Sequence, residues 1–142
     1  MQLITKSRAL IASALVLGVT LGKVIPSTAQ ESGKVFELRT YTATEGNLEN
    51  LHARFRDHTT RIFKKHGMEV VGYWTPTEGA EAEDTLVYVL EHQSRAAADA
   101  SWQAFIADPE WERVAAASNA NGPILAGIER KYLRATDYSP LK

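Results

Sequence analysis

Between Val35 and Thr42 polar and apolar side chains alternate, with Phe36 and Leu38 on one side and Glu37, Arg39 and Tyr41 on the other. That period of two predicts a strand. After Asn47 the spacing becomes helical: Leu48, Leu51, Phe55, Ile62 and Phe63 form one stripe, Asn47 is placed to cap it, and Gly67 after His66 supplies a stop. Glu69 to Thr75 and Asp84 to His92 read as two strands of a hairpin, joined by a loop carrying Pro, Gly and Glu. Ser94 then caps an alanine-rich helix to about Ala107. Asp108 and Pro109 interrupt it, and Pro109 suits the first position of a further short helix reaching about Ser118. Residues 119–127 read as loop, and Ile128 to Ala135 as the last strand.

The order β-α-β-β-α-β predicts an α+β domain of the ferredoxin-like kind, with helices on one face of a four-stranded antiparallel sheet. The opposite face is expected to carry Tyr41, one of Tyr73 and Trp74, and Tyr88, too large an apolar patch for a soluble monomer to leave open. Two such sheets pairing about a two-fold axis would cover it, so a homodimer is expected. The alternative is a monomer whose hairpin loop folds over the sheet.

The N-terminus changes the picture of where this domain works. Lys6 and Arg8 precede an apolar run from Ala9 to Gly22, about 21 Å long as a helix and short of a bilayer core of roughly 30 Å. With Pro26, Ser27 and Ala29 after it, the pattern is that of a secretory signal peptide over residues 1–29, cut after Ala29. Lys23, between the run and the cut, also fits an uncleaved anchor. Cleavage would leave residues 30–142 as one domain, in the periplasm or secreted, with no stable membrane insertion. The leader holds three of the 16 basic residues and none of the 17 acidic ones, so the remainder carries a formal charge of 13 minus 17, or −4. Such a surface disfavours nucleic acid. There is no cysteine, hence no disulfide, no thiol nucleophile and no lipid acceptor.

Glu37, Arg39 and Tyr41 are the leading ligand-binding candidates, because a charge pair and a phenol on one strand face can hold a small polar or aromatic molecule. An inter-subunit salt bridge between Glu37 and Arg39 is the structural alternative. Trp74 and Tyr88 divide between pocket wall and interface, whereas Trp102 and Trp111 read as packing residues. His52, His58 and His66 lie about 9, 12 and 21 Å apart along one helix, too far to share a metal bound at about 2 Å. No metal site and no cofactor are expected. His66 reads as a helix-end residue, and His58 as a pocket residue able to move protons. There is no Gly-x-Ser-x-Gly, no phosphate-cradling glycine loop and no His-Glu-x-x-His, which disfavours nucleophilic and metal-hydrolase chemistry.

The string Phe36-Glu37-Leu38-Arg39-Thr40-Tyr41-Thr42, then Arg56-Asp57-His58, Lys65-His66-Gly67, Gly72-Tyr73-Trp74, Leu86-Val87-Tyr88 and Asp108-Pro109-Glu110-Trp111, in that order, resembles the NIPSNAP family. The likeness runs from about Val35 to Tyr132. It implies the dimeric α/β-barrel superfamily, in which two ferredoxin-like domains pair through their sheets. It implies no shared reaction. Superfamily relatives include cofactor-independent monooxygenases, isomerases and haem enzymes, so a lone axial histidine is conceivable, although no c-type haem attachment motif is present. The expected function is binding of a small organic molecule in a sheet-lined cavity of a homodimer. The alternatives are a monooxygenase or isomerase using His58, Arg39 and Tyr41, and a structural or protein-binding module.

Overall fold

The computed structural model describes residues 33–142, and the leader read at 1–29 lies outside them. Strand β1 (Val35–Ala43) opens the domain, followed by helix α1 (Leu48–Arg54), a π-helical turn (Phe55–Thr59) and its continuation α2 (Thr60–Lys65). Strands β2 (Glu69–Trp74) and β3 (Thr85–His92) flank a short 3₁₀ turn, helices α3 (Arg95–Ile106) and α4 (Pro109–Ser118) come next, and β4 (Leu125–Leu133) ends the sheet. The strand order β2-β3-β1-β4, antiparallel throughout, is ferredoxin-like.

Local chemistry accounts for most boundaries. The Ser94 hydroxyl accepts from the Ala97 amide at 3.1 Å and opens α3. Asp108 does the same for α4, accepting from the Glu110 amide at 2.8 Å with Pro109 in the first turn. Asn47 does not cap α1. Its amide nitrogen donates to Thr44 Oγ1 at 2.9 Å and its oxygen accepts from Asn50, so the side chain braces the loop instead. Gly67 ends the first helix at φ 72°, and a Cβ there would stand 3.9 Å from Ser101 Oγ. Space is available but the backbone is left-handed. Gly67→Ala is therefore expected to cost about 1–2 kcal/mol in denaturant unfolding, without changing the fold by circular dichroism.

The first helix is not regular. The Thr60 amide donates to the Phe55 carbonyl, five residues back, and two hydroxyls attend the widened turn: Thr59 Oγ1 donates to Arg54 O at 3.1 Å and Thr60 Oγ1 to Phe55 O at 2.9 Å. The extra residue alters the phase of everything after it. A regular helix would bring His58, seven residues after Leu51, onto the buried stripe; here Thr59 is buried and His58 is exposed.

The face of each strand is decided by these helices. Glu37, Arg39 and Tyr41 do share one side of β1, but it is the side against the helices, with Leu90, Tyr88 and Leu86 beside them on β3. Tyr41, Tyr73 and Tyr88 accordingly join Phe55, Phe63, Trp102 and Phe105 in a continuous aromatic core, with ring centroids 5.0 to 6.1 Å apart. This corrects the expectation that Tyr41 and Tyr88 sit on the open face. The open face carries Phe36 and Leu38 of β1, Val87 and Val89 of β3, Leu133 of β4 and Trp74 of β2. Trp74 is 52% exposed and its ring covers Gly72, where an added Cβ would fall 2.7 Å from the ring. Register shifts at Val70/Gly72 and at Thr42/Ala43 mark irregularities in the two edge pairings. Among the described residues no helix is long and apolar enough to cross a membrane.

Candidate functional site

Two polar constellations stand out, one between sheet and helices and one between helices and a loop. The first surrounds Glu37, which is fully buried. One of its oxygens accepts from Arg39 Nε at 2.8 Å and forms an ion pair with Nη2 at 2.8 Å; the other accepts from Trp102 Nε1 at 2.7 Å and meets His92 Nε2 at 2.8 Å. Burial alone would raise the carboxyl's pKa. The hydrogen bonds of His92 and Trp102, and then the charge and hydrogen bonds of Arg39, outweigh it and hold the pKa at about 2. Glu37 is thus a carboxylate at neutral pH. Arg39 lies over the Trp102 ring at 3.7 Å and reaches Tyr41 Oη at 3.4 Å. Glu37, Arg39 and Tyr41 are engaged by the core, the Tyr88 hydroxyl and His92 Nδ1 are buried without a hydrogen-bond partner, and none of Glu37, Arg39, Tyr41 and Tyr88 lines the hollows of about 850 and 560 Å³ described below. Burial also pushes the Tyr88 phenol well above its ordinary range, so it stays protonated.

The second constellation opens to solvent. A cavity of about 850 Å³ lies between the end of α1 with its π turn, α4, and the loop 119–124. Its floor is tied to the end of β1: Thr44 Oγ1 donates to Pro123 O at 2.8 Å, the Thr44 amide to Ile124 O at 3.1 Å, and the Ile124 amide to Asn119 Oδ1 at 3.1 Å. Ala53, Val114, Ala117 and Ile124 make its apolar wall, and Asp57, His58 and Arg113 stand around it.

Arg54 also lines this cavity and is the residue that sequence reasoning missed. It is only 6% exposed, donates from Nη1 to Ser118 Oγ at 3.3 Å, and sits 5.4 Å from the centre of the Trp111 ring. Its Nε is buried with no hydrogen-bond partner. Burial pulls the guanidinium's pKa down, and only the nearby phenols of Tyr41 and Tyr88 oppose that pull. The other buried arginine, Arg39, has Glu37; Arg54 has no carboxylate within ion-pair distance among the described residues. One signal was present in the sequence, a cation three residues after Leu51 and beside Phe55 on an otherwise apolar stripe.

The remaining candidates separate. His58 reaches the 850 Å³ cavity from the solvent side, next to Asp57. Trp74 lines a different hollow of about 560 Å³ with Tyr73, Phe55, His52 and Thr60, across the first helix from His58. His66 pairs through Nε2 with Asp108 Oδ2 at 2.7 Å, an atom that Lys65 also meets at 2.7 Å. Together they bolt the end of α2 to the start of α4, a helix-end role. Among the described residues no three His, Cys, Asp or Glu side chains gather in a way that would hold a metal ion.

Comparison with known proteins agrees with this architecture. The NIPSNAP family model matches residues 36–140. A NIPSNAP-like domain protein from Burkholderia xenovorans superposes with a TM-score of 0.67 at 17% identity, covering 77% of this chain and 90% of that one. A NIPSNAP family protein of unknown function from Agrobacterium tumefaciens gives 0.67 at 22% identity, covering 79% of this chain and 96% of that one. A putative antibiotic biosynthesis monooxygenase from Chloroflexus aurantiacus gives 0.50 at 14% identity, over 78% of this chain and all of that one, a likeness of fold alone. No curated protein matches the sequence.

Proposed function

This chain belongs to the NIPSNAP family, and on that premise we propose that it is an exported homodimer that binds a small organic molecule within each protomer. The cavity between the π turn, α4 and loop 119–124 is the binding site. One observation carries the reading: a hollow of about 850 Å³, inside the range of roughly 300–1,000 Å³ that small-molecule sites occupy, is lined by a buried arginine with an unengaged N–H. The site differs from the sheet-lined cavity expected from sequence, because Glu37, Arg39 and Tyr41 spend their polar atoms inside the core. Pairing through the open face is supported by exposed Trp74 and Leu133 and half-buried Leu38, Val87 and Val89, an apolar set that takes the place of the tyrosines first assigned there. Export is supported by the leader pattern.

Native mass spectrometry of the protein expressed with its leader and purified gently from the cell envelope or medium tests all three parts, export being read from a mass that starts at Gln30. The expected spectrum shows a dimer with up to two copies of one small adduct. Ala53→Phe, which fills the cavity wall, is expected to remove the adduct while leaving the dimer. An adduct that survives in that variant would place binding elsewhere, and an empty protein that no small organic acid, amine or neutral aromatic stabilises against heat would overturn the reading.

A further inference from the structure

We propose that the ligand of this cavity is an organic monocarboxylate, its carboxylate held by the Arg54 guanidinium and its apolar body lying against Ala53, Val114, Ala117 and Ile124. This rests on the cavity being the binding site. The argument begins with an imbalance of charge. Burying a cation without a counter-ion is costly, and proteins meet the cost with a partner or a bound ligand. Four other arginines find carboxylates: Arg39 with Glu37, Arg56 with Glu49, Arg61 with Glu110, Arg95 with Asp99. Arg54, at least as buried as any of these, meets a hydroxyl and an indole, and its Nε–H is buried without a partner in a side chain that lines the hollow.

The geometry of the donor selects the anion. A guanidinium offers Nε–H and a neighbouring Nη–H as a fork, which matches the two oxygens of a carboxylate. The π turn contributes to the presentation: Thr59 Oγ1 binds the carbonyl of Arg54 itself, fixing the backbone from which the side chain leaves. The groups around the cavity limit the charge of the guest. Arg113 and His58 tolerate an anion, whereas Asp57 repels a second negative charge. A single carboxylate on an apolar body fits these terms better than a phosphate ester.

The test uses the protein from Gln30 onward and three probes of one shape: benzoate, benzamide and benzylammonium, measured by calorimetric titration and by thermal melting. Benzoate is expected to bind at least roughly tenfold more tightly than benzamide, and benzylammonium more weakly than either. Arg54→Met should abolish the preference for benzoate, and Arg54→Lys should keep part of it. Without ligand, Arg54→Met should melt at or above the wild-type temperature, because it relieves an unpaired buried cation; a purely structural Arg54 would lower it. Benzamide binding as well as benzoate would overturn this inference and leave the cavity's role intact. So would an Arg54→Met protein that still prefers benzoate. If none of the three probes binds, and the adduct of gentle purification is absent too, inference and parent reading fall together.

Discussion

Glu37→Gln is expected to cost about 3 kcal/mol or more at pH 7 in denaturant unfolding of the protein from Gln30 onward. The substitution keeps the shape and removes the charge that three donors share, leaving Arg39 buried opposite a neutral amide and setting an N–H₂ group against the N–H groups of Trp102, His92 or Arg39. Breaking one side of a buried ion pair typically costs 3–5 kcal/mol, far more than the pair's net contribution, because the other charge is stranded. The acid limb gives a second reading. Glu37's folded-state pKa lies near 2 against an ordinary 4.5, so its contribution is fully present above about pH 4.5 and is lost as the pH falls toward 2. At 1.36 kcal/mol per unit that is about 3 kcal/mol, and the Gln variant should show a correspondingly flatter loss of stability between pH 5 and 2. The exposed pair Lys34–Glu91, 2.7 Å apart, is the control: Glu91→Gln should change stability by less than about 1 kcal/mol. A Glu37→Gln protein as stable as its control would mean that the network contributes nothing net.

Val89→Asp is expected to turn the proposed dimer into a monomer. Val89 lies opposite Leu38 on β1 and Gly72 on β2, in the middle of the open face, and its side chain points away from the helices. In an interface related by a two-fold axis the same change is made twice, so two carboxylates are desolvated near each other. Two unpaired charges at a few kcal/mol each should weaken association by at least roughly a hundredfold, seen by sedimentation at micromolar concentration. Far-ultraviolet circular dichroism should not change, because the helices cover the other side of the sheet. If the wild type sediments as a monomer, or the variant still as a dimer, the open face is not where copies meet.

These expectations depend on knowing which way β1 faces, and the sequence could not supply that. Alternation put Glu37, Arg39 and Tyr41 on one side and Phe36 and Leu38 on the other, correctly. It could not say which side the helices cover. The ordinary rule, apolar inward, chose wrongly because β1 lies between β3 and β4, where both faces need covering, and because the polar side carries its own counter-groups from distant segments. His92 and Trp102 are 55 and 65 residues from Glu37, beyond the reach of any local pattern. Turn and cap chemistry, by contrast, is local, and Ser94, Asp108-Pro109 and Gly67 marked their boundaries as expected. The loop read over 119–127 proved shorter: β4 begins at Leu125, its pairing to Ala43 displaced by an irregularity that no residue pattern announces. The π turn is equally silent in the sequence. It exposes His58 and leaves Arg54 buried at its start, so the candidate cavity shares only His58 with the residues first put forward.

The chain's three tryptophans give each of these regions a light source of its own. Trp111 lies beneath the Arg54 guanidinium, Trp102 beneath that of Arg39 while donating to Glu37, and Trp74 rests on Gly72 in the open face. In single-tryptophan versions, made by replacing the other two with phenylalanine, the emission of one indole would report one event: occupancy of the cavity, protonation of the core carboxylate, or contact between copies. The molecule therefore carries three separable optical channels, and the order in which its parts come undone under acid, dilution or ligand withdrawal could be followed without an added dye.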